Sequence, residues 1–327
     1  MRAIQYEQFG DPATVLAIVE EQVEAPRPDE VVIAVEATPV MLNDLYHVNG
    51  KADFRRPLPA VPGNQGVGRI AAAGAQSGWR EGDRVFLPSK GGTWRDRILC
   101  PATGLFRAPE GGDPVQLSLV SGNLLTAYLM LRYIRPLHAG EWIVQNASNS
   151  NCGGYVIRLA RAWGMRTVNI VRRPSLVDPL KKMGADAVVL DDEHLTEAVQ
   201  AATGGAPILL GLDAVAGAAT DRMARCLAPN GIVATYGFIS STEARISVAA
   251  MMFNAISLIG FFKSRTFAEQ TRERQREIYD EMGRMVVDGR VWGEIAGVFP
   301  FSSFGEAVRL AAQTGTGRHG KVILVPQ

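Results

Sequence analysis

The sequence predicts an α/β protein, a doubly wound parallel sheet joined to a second, mostly antiparallel β domain. Two patterns carry that expectation. From Leu117 to about Ser264, short apolar runs alternate with helical ones, as a parallel sheet requires. Before and after that stretch the chain is rich in short β runs broken by proline and glycine turns. The chain is therefore expected to leave a first domain (1–117), build a nucleotide-type domain (118–264), and return to complete the first (265–327). Its 327 residues suffice for two domains of ordinary size.

In the first domain the β runs are Ala3-Ile4-Gln5-Tyr6, Val31 to Val35, Gly68 to Ala73 and Arg84-Val85-Phe86. Turns such as Ala25-Pro26-Arg27-Pro28 and Glu81-Gly82-Asp83 separate them. In the second domain Trp142-Ile143-Val144 has the apolar density of a buried parallel strand. Asn146 to Gly154 is small or turn-prone; from Tyr155 on, Val156, Leu159, Ala160 and Trp163 fall at helical spacing, and Gly164 ends the helix. Thr167 to Val171, apolar or β-branched apart from Asn169, is the next strand. Ser175 is the expected cap of a helix ending at Met183-Gly184. Ala187 to Val189, Ile208 to Leu212, Ile232 to Tyr236 and Ile256 to Phe262 continue the strands. Phe267 to Asp288 reads as one long charged helix, followed by a strand Ile295 to Phe299, a helix Phe304 to Ala312 and a strand Lys321 to Val325.

The unit from Glu141 to Arg173 is the chemical centre of this pattern. Its strand, tight turn, helix and strand aim backbone N–H groups and a helix N-terminus at one spot, suited to a pyrophosphate in the manner of a Rossmann fold. The turn is not a G-x-G-x-x-G. Only Gly153 and Gly154 are glycines, and Ser150 and Asn151 stand where others would be. Asn tolerates a left-handed backbone, which keeps the turn feasible. Where an NAD-binding unit has an acid for the ribose 2′-hydroxyl, this chain has Arg172-Arg173. Two guanidiniums suit a 2′-phosphate, so NADPH is the expected cofactor.

Composition narrows the class. A formal net charge of +1 gives no field for nucleic acid or an anionic membrane. Cys100, Cys152 and Cys226 are too few and scattered for a disulfide framework or a thiolate metal cluster. The opening MRAIQYEQFGDP enters a strand pattern without an apolar signal core, and the apolar stretch Ala249 to Phe262 is too short to span a bilayer. A cytoplasmic protein is expected.

Several ordered segments carry a resemblance over the whole chain. They are Leu58 to Gly68 (LPAVPGNQGVG), Gly92-Thr93-Trp94-Arg95, Asn123 to Tyr128 (NLLTAY), Gln145 to Ser150 (QNASNS), Val171 to Pro174 (VRRP), Tyr236-Gly237 and Gly260-Phe261-Phe262. The chain resembles the zinc-free medium-chain dehydrogenases/reductases, above all the 2-enoyl thioester reductases and quinone oxidoreductases. That resemblance implies a GroES-like catalytic domain beside the Rossmann domain, and a homodimer joined through the nucleotide domain. The apolar run Ala249 to Phe262 is expected there as a paired edge strand. No catalytic zinc is expected, because the ligand positions fall at Asn43-Asp44 and Gly63-Asn64-Gln65, without cysteine.

The resemblance also assigns residues. It places the cofactor against Asn123, Thr126, Asn149, Ser150, Asn151, Cys152, Gly153, Arg172, Arg173, Tyr236, Gly237, Phe238, Ile239, Phe261, Phe262, Lys263, Ser264 and Lys321. Asn43 and Trp94 would line the substrate cleft. Cys152 precedes a helix N-terminus, where a thiol pKa falls, and is read as a small residue packed under the cofactor. Hydride delivered to the β-carbon of an α,β-unsaturated carbonyl leaves negative charge on oxygen, which a donor must meet. The enoyl thioester reductases use a tyrosine whose position here is Ala52. Tyr46 matches instead a tyrosine that quinone reductases carry in an Asp-x-Tyr setting, and His47 is the other titratable group nearby. Three readings follow: an NADPH-dependent reductase of enoyl thioesters or enones, an NADPH:quinone oxidoreductase, and a protein that binds NADPH without turnover as a partner or scaffold.

Overall fold

The structure is a computed structural model describing residues 1–52, 56–89, 91–313 and 319–326. Two compact units divide the chain, Met1–Gly122 with Arg272–Gln327, and Asn123–Thr271. The expected crossings at 117/118 and 264/265 lie slightly before these.

The first part of the β-rich unit contains β1 (Arg2–Gln5), α1 (Pro12–Val15), β2 (Ala17–Glu20), β3 (Glu30–Val40), α2 (Leu42–Val48), β4 (Val67–Ala73), β5 (Arg84–Phe86), β6 (Arg97–Pro101), β7 (Phe106–Arg107) and α3 (Pro114–Leu117). The Asn123–Thr271 unit then supplies α4 (Leu125–Tyr133), β8 (Trp142–Gln145), α5 (Asn151–Ala162), β9 (Arg166–Val171), α6 (Val177–Met183), β10 (Ala187–Leu190) and α7 (Leu195–Thr203). It continues through β11 (Ile208–Asp213), α8 (Ala218–Arg225), β12 (Ile232–Thr235), α9 (Val248–Asn254), β13 (Ser257–Gly260) and α10 (Lys263–Ala268). The chain returns through α11 (Arg272–Val287), β14 (Ile295–Pro300), α12 (Phe304–Ala312) and β15 (Lys321–Val325).

In the β-rich unit a seven-stranded sheet runs β14-β15-β3-β4-β5-β7, with β6 on β3; all pairs are antiparallel except β14 with β15. Its length lets β3 serve two cores. Val31, Ile33 and Val35 pack with Ile70, Val85 and Ile98, whereas Val40 packs with Ile4, Leu45, Phe301 and Leu324. The other unit holds a six-stranded, wholly parallel sheet in the order β10-β9-β8-β11-β12-β13. Its central strands are buried on both faces, which is why Trp142 to Gln145 shows no polar alternation. Together they are a Rossmann sheet and a GroES-like β domain.

Three local expectations are corrected. Ser175 caps nothing; the chain enters α6 through a 3₁₀ turn, Pro174–Leu176, that buries Leu176. Ala249 to Phe262 is not one edge strand: Ser247 caps a helix, its Oγ accepting the Ala250 amide at 3.3 Å, and left-handed Ala255 ends it before the short β13. Phe267 to Asp288 is not one helix, although the break at Glu269-Gln270-Thr271 holds neither glycine nor proline. The break falls where the chain changes unit: α10 packs with α4, whereas the Arg272 guanidinium that opens α11 is fixed to the Leu105 carbonyl at 2.7 Å. Tertiary packing overrides helix propensity there.

Candidate active site

Between β8 and β11 the parallel sheet switches its direction of winding, and such switch points are where open α/β sheets take ligands. The rim there is made of buried polar residues. Asn146, just past β8, donates from Nδ2 to Asp213 Oδ1 at 2.6 Å and accepts the Ala214 amide at 2.8 Å. Asp213 also accepts the Val215 and Ala216 amides at 2.9 and 3.1 Å, and the Thr220 and Thr235 hydroxyls at 2.6 and 3.3 Å. One carboxylate thus ties the ends of β8, β11 and β12 together, and a fully satisfied buried network of this kind rigidifies its surroundings. Sequence reasoning missed both residues. The available signal was a polar side chain at the carboxyl end of each of two apolar strands.

Helix α5 begins at this rim. Ser150 caps it, Oγ accepting the Gly153 amide at 3.0 Å, a bond typically worth ~1 kcal/mol. The helix starts at Asn151, a turn before the expected Tyr155, because packing outweighs the poor propensity of Asn-Cys-Gly-Gly. A Cβ on Gly153 would come within 2.6 Å of the Ser148 carbonyl oxygen, and one on Gly154 within 2.9 Å of an Arg158 nitrogen. These glycines admit the protein's own turn and side chain. The left-handed residue of the turn is Ala147, at φ 48°, not an asparagine. Bonds on both sides hold it there: Asn146 to Asp213, and Ser148 Oγ to the Gln145 carbonyl at 3.1 Å.

Other expected contacts meet at the same end of the sheet. Cys152 Sγ lies 3.8 Å from the carbonyl oxygen of Asn123, which precedes α4, the helix carrying half-buried Thr126. The Tyr236 hydroxyl, after β12, is buried beside the Cys152 thiol. Burial, then the neighbouring Cys152, pushes it well above the usual tyrosine range. Burial holds the Lys263 ammonium below its ordinary value, partly offset by the same thiol. Cys152, Tyr236 and Lys263 are therefore one cluster. Gly237 passes so close to Ala214 that a Cβ would sit 2.9 Å from its carbonyl oxygen. Phe238, Ile239 and Phe262 are 70%, 64% and 62% exposed, with Phe261 half-buried and Ser264 exposed beside them. Arg172 and Arg173 follow β9 directly, and neither side chain makes a hydrogen bond or ion pair among the described residues.

Lys321 lies in the other compact unit, at the start of β15, where its charge acts on Asp44. In that unit α2 presents Asn43 and Tyr46, both exposed, with Asn43 Nδ2 3.4 Å from His47 Nε2. Half-buried Ala52 is tied to the same helix, its amide donating to the Tyr46 carbonyl at 3.1 Å. Trp94 is a correction. Expected at the substrate cleft, it is wholly buried in the core with Ile4, Tyr6 and Val61. Gly63, at φ 98°, turns the chain so that the Trp94 amide reaches the Pro62 carbonyl at 3.1 Å, and a Cβ there would run into Thr93 Oγ1.

The positions where related enzymes would hold zinc form a hydrogen-bond chain. Asp44 accepts the Met41 amide at 3.0 Å and Asn64 Nδ2 at 2.6 Å, and Asn64 Oδ1 accepts Arg56 at 2.5 Å. Among the described residues no group of three or more His, Cys, Asp or Glu side chains could hold a metal ion. Asp44 is fully buried, and burial pushes its carboxyl up to about 6 against those bonds and the charges of Arg56 and Lys321. The Tyr6 hydroxyl, buried without a partner among the described residues, lies within reach of the Arg56 and Asp44 charges. With the folded value above the ordinary carboxylate one, the stabilising contribution is present at acid pH and is lost as pH rises through about 6. Wild type should therefore lose up to about 3 kcal/mol relative to Asp44→Asn between roughly pH 4 and 7. Urea unfolding of both proteins at the two ends of that range checks this, and parallel stabilities would refute it.

Comparison with known proteins agrees with this geometry. Residues 27–110 match the model of the alcohol dehydrogenase GroES-like domain, and residues 152–284 that of the zinc-binding dehydrogenase family. The mitochondrial enoyl-[acyl-carrier-protein] reductase of Rattus norvegicus is 31% identical over 316 residues, covering 94% of this chain and 84% of its own. The chain belongs to the medium-chain dehydrogenase/reductase family, in its enoyl thioester reductase branch. The counterpart in Dictyostelium discoideum is 30% identical over 99% of this chain and 94% of its own. Among solved structures, the mitochondrial 2-enoyl thioester reductase heterodimer of Candida tropicalis matches with a TM-score of 0.86 at 22% identity, over 99% of each chain. A mycobacterial quinone oxidoreductase gives 0.87 at 23% identity over 100% of each. The segments expected to hold any zinc ligands, Asn43-Asp44 and Gly63-Asn64-Gln65, contain neither a cysteine nor a histidine.

Proposed function

We propose that the chain is an NADPH-dependent reductase of activated C=C bonds, acting on 2-enoyl thioesters or enones without metal. The observation that carries the cofactor is the pair Arg172 and Arg173, two guanidiniums without a partner among the described residues at the end of β9, where NAD-binding units place an acid. The rest of the crevice fits the same group: the capped N-terminus of α5 for the pyrophosphate, and Tyr236 and Lys263 beside Cys152. When bound, NADPH supplies the hydride. The chain's own residues orient it, and the proton for the α-carbon comes from Tyr46 or from water, because Ala52 offers no hydroxyl.

Quinone reduction is the second reading, supported by the exposed Tyr46 on α2 and the missing hydroxyl at position 52. Following NADPH absorbance with a short enoyl-CoA, an enone and a benzoquinone in parallel tests both. The proposed activity predicts the faster rate with the enoyl or enone substrate. Oxidation with none of the three, despite tight NADPH binding, would leave a cofactor-binding partner protein.

The assembly we infer is a homodimer in a reducing cytoplasm, where the three free cysteines stay reduced. Helix α9 leaves Val248, Met252 and Phe253 62%, 70% and 81% exposed, and β13 is an edge strand with Ile259 part-exposed. An apolar edge with an apolar helix beside it is a surface that a second copy would cover across a two-fold axis. Phe253→Asp, which disturbs no core, should convert a dimeric mass to a monomeric one in light scattering. A monomeric wild type at micromolar concentration would refute the dimer.

A further inference from the structure

We propose that a second pocket, wholly within the β-rich unit, binds a nucleoside phosphate. Its floor is Trp79, Phe106 and Tyr279, and its walls carry Arg107, Arg272 and Arg276. The cavity is about 560 Å³, within the range of small-molecule sites and far larger than one phosphate needs. It forms where the turns around Gly78 and Gly104 meet β7 and the first turns of α11.

Arg272 is held in place by contacts that leave it without counter-charge among the described residues. Arg272 lies 3.8 Å over the Phe106 ring and donates to the Leu105 carbonyl at 2.7 Å and to Gln275 Oε1 at 3.3 Å. None of those partners is an anion. Arg276, one turn further along α11, has no ion pair or side-chain hydrogen bond among the described residues. Burial and the facing charge of Arg276 both disfavour the charged form of Arg272. Two adjacent guanidiniums that repel each other are relieved by an anion able to accept bonds from both, and a phosphate's three oxygens do that. Arg107 differs, being paired with Asp83 at 2.7 Å while its guanidinium lies 4.7 Å over Trp79.

The floor argues for more than phosphate. Phe106 and Tyr279 stack at 4.3 Å, and Trp79 is fixed by its indole N–H donating to the Ala102 carbonyl at 3.3 Å. Half-buried Trp79 brings aromatic surface to the pocket that Arg272 and Arg276 line, and the two together recognise a planar base attached to phosphate. Asp280 is the one acid among the described lining residues and makes no ion pair among them. It opposes any anion and so supplies a test of sign.

Free nucleotides and the nucleotide end of a CoA thioester share this chemistry. Calorimetric titration of full-length protein, with one equivalent of NADPH present, should use ADP in one arm and adenosine 3′,5′-bisphosphate in the other. Binding in either arm should weaken with salt, fall about tenfold in Arg276→Gln and further in Arg272→Gln/Arg276→Gln, and tighten about threefold in Asp280→Asn. The preferred arm identifies the source. Because Arg276 is exposed and unpaired among the described residues, its variant folds, so a loss there is not a folding defect. Absence of binding at millimolar nucleotide, or equal affinities across wild type and the arginine variants, would overturn the proposal.

Discussion

Ala52→Tyr should raise enoyl-CoA turnover by ~10²–10⁴-fold, the usual contribution of a positioned acid, while quinone turnover changes far less. The asymmetry is chemical. An enolate formed from a thioester needs its α-proton delivered at one carbon, whereas a reduced quinone oxygen is basic enough to take a proton from solvent. The position is suited to the test: the Ala52 amide donates to the Tyr46 carbonyl at 3.1 Å, which ties position 52 to the helix that carries Asn43 and Tyr46. Stopped-flow or steady-state NADPH oxidation with both substrates reads the result. If wild type already reduces enoyl-CoA rapidly and Tyr46→Phe abolishes it, Tyr46 is the donor and position 52 has no part in the chemistry.

Replacing Arg172 and Arg173 together by alanine should weaken NADPH binding on the order of 100-fold, at about 1.5 kcal/mol for each charge-assisted contact to phosphate, and leave NADH nearly unchanged. Neither side chain has a protein partner among the described residues to lose, so the melting temperature should not move. The effect should shrink with added salt, since Arg172 is exposed. Titration of both cofactors against both proteins decides it. An unchanged preference in the double variant, or equal wild-type affinities for NADPH and NADH, would remove the basis for the cofactor assignment.

Sequence alone determined the parallel sheet, the β-rich remainder and the cofactor end, because each rests on local pattern. Apolar density marked β8 and an acid replaced by two arginines marked the end of β9, whereas the missing hydroxyl at Ala52 is what the family resemblance implies. The tertiary structure decided what depends on distant partners. Asn146 and Asp213 are 67 residues apart and become one site only when β8 and β11 lie side by side. Ala147 takes a left-handed backbone because the bonds on each side of it are already spent, and α5 starts at Asn151 because the glycines fit the turn beneath them. Trp94 goes inward because Gly63 brings Pro62 to its amide, and α10 and α11 separate because each packs on a different unit. Local preferences amount to ~1 kcal/mol or less per residue, and burial or a fixed hydrogen bond in the assembled fold outweighs them.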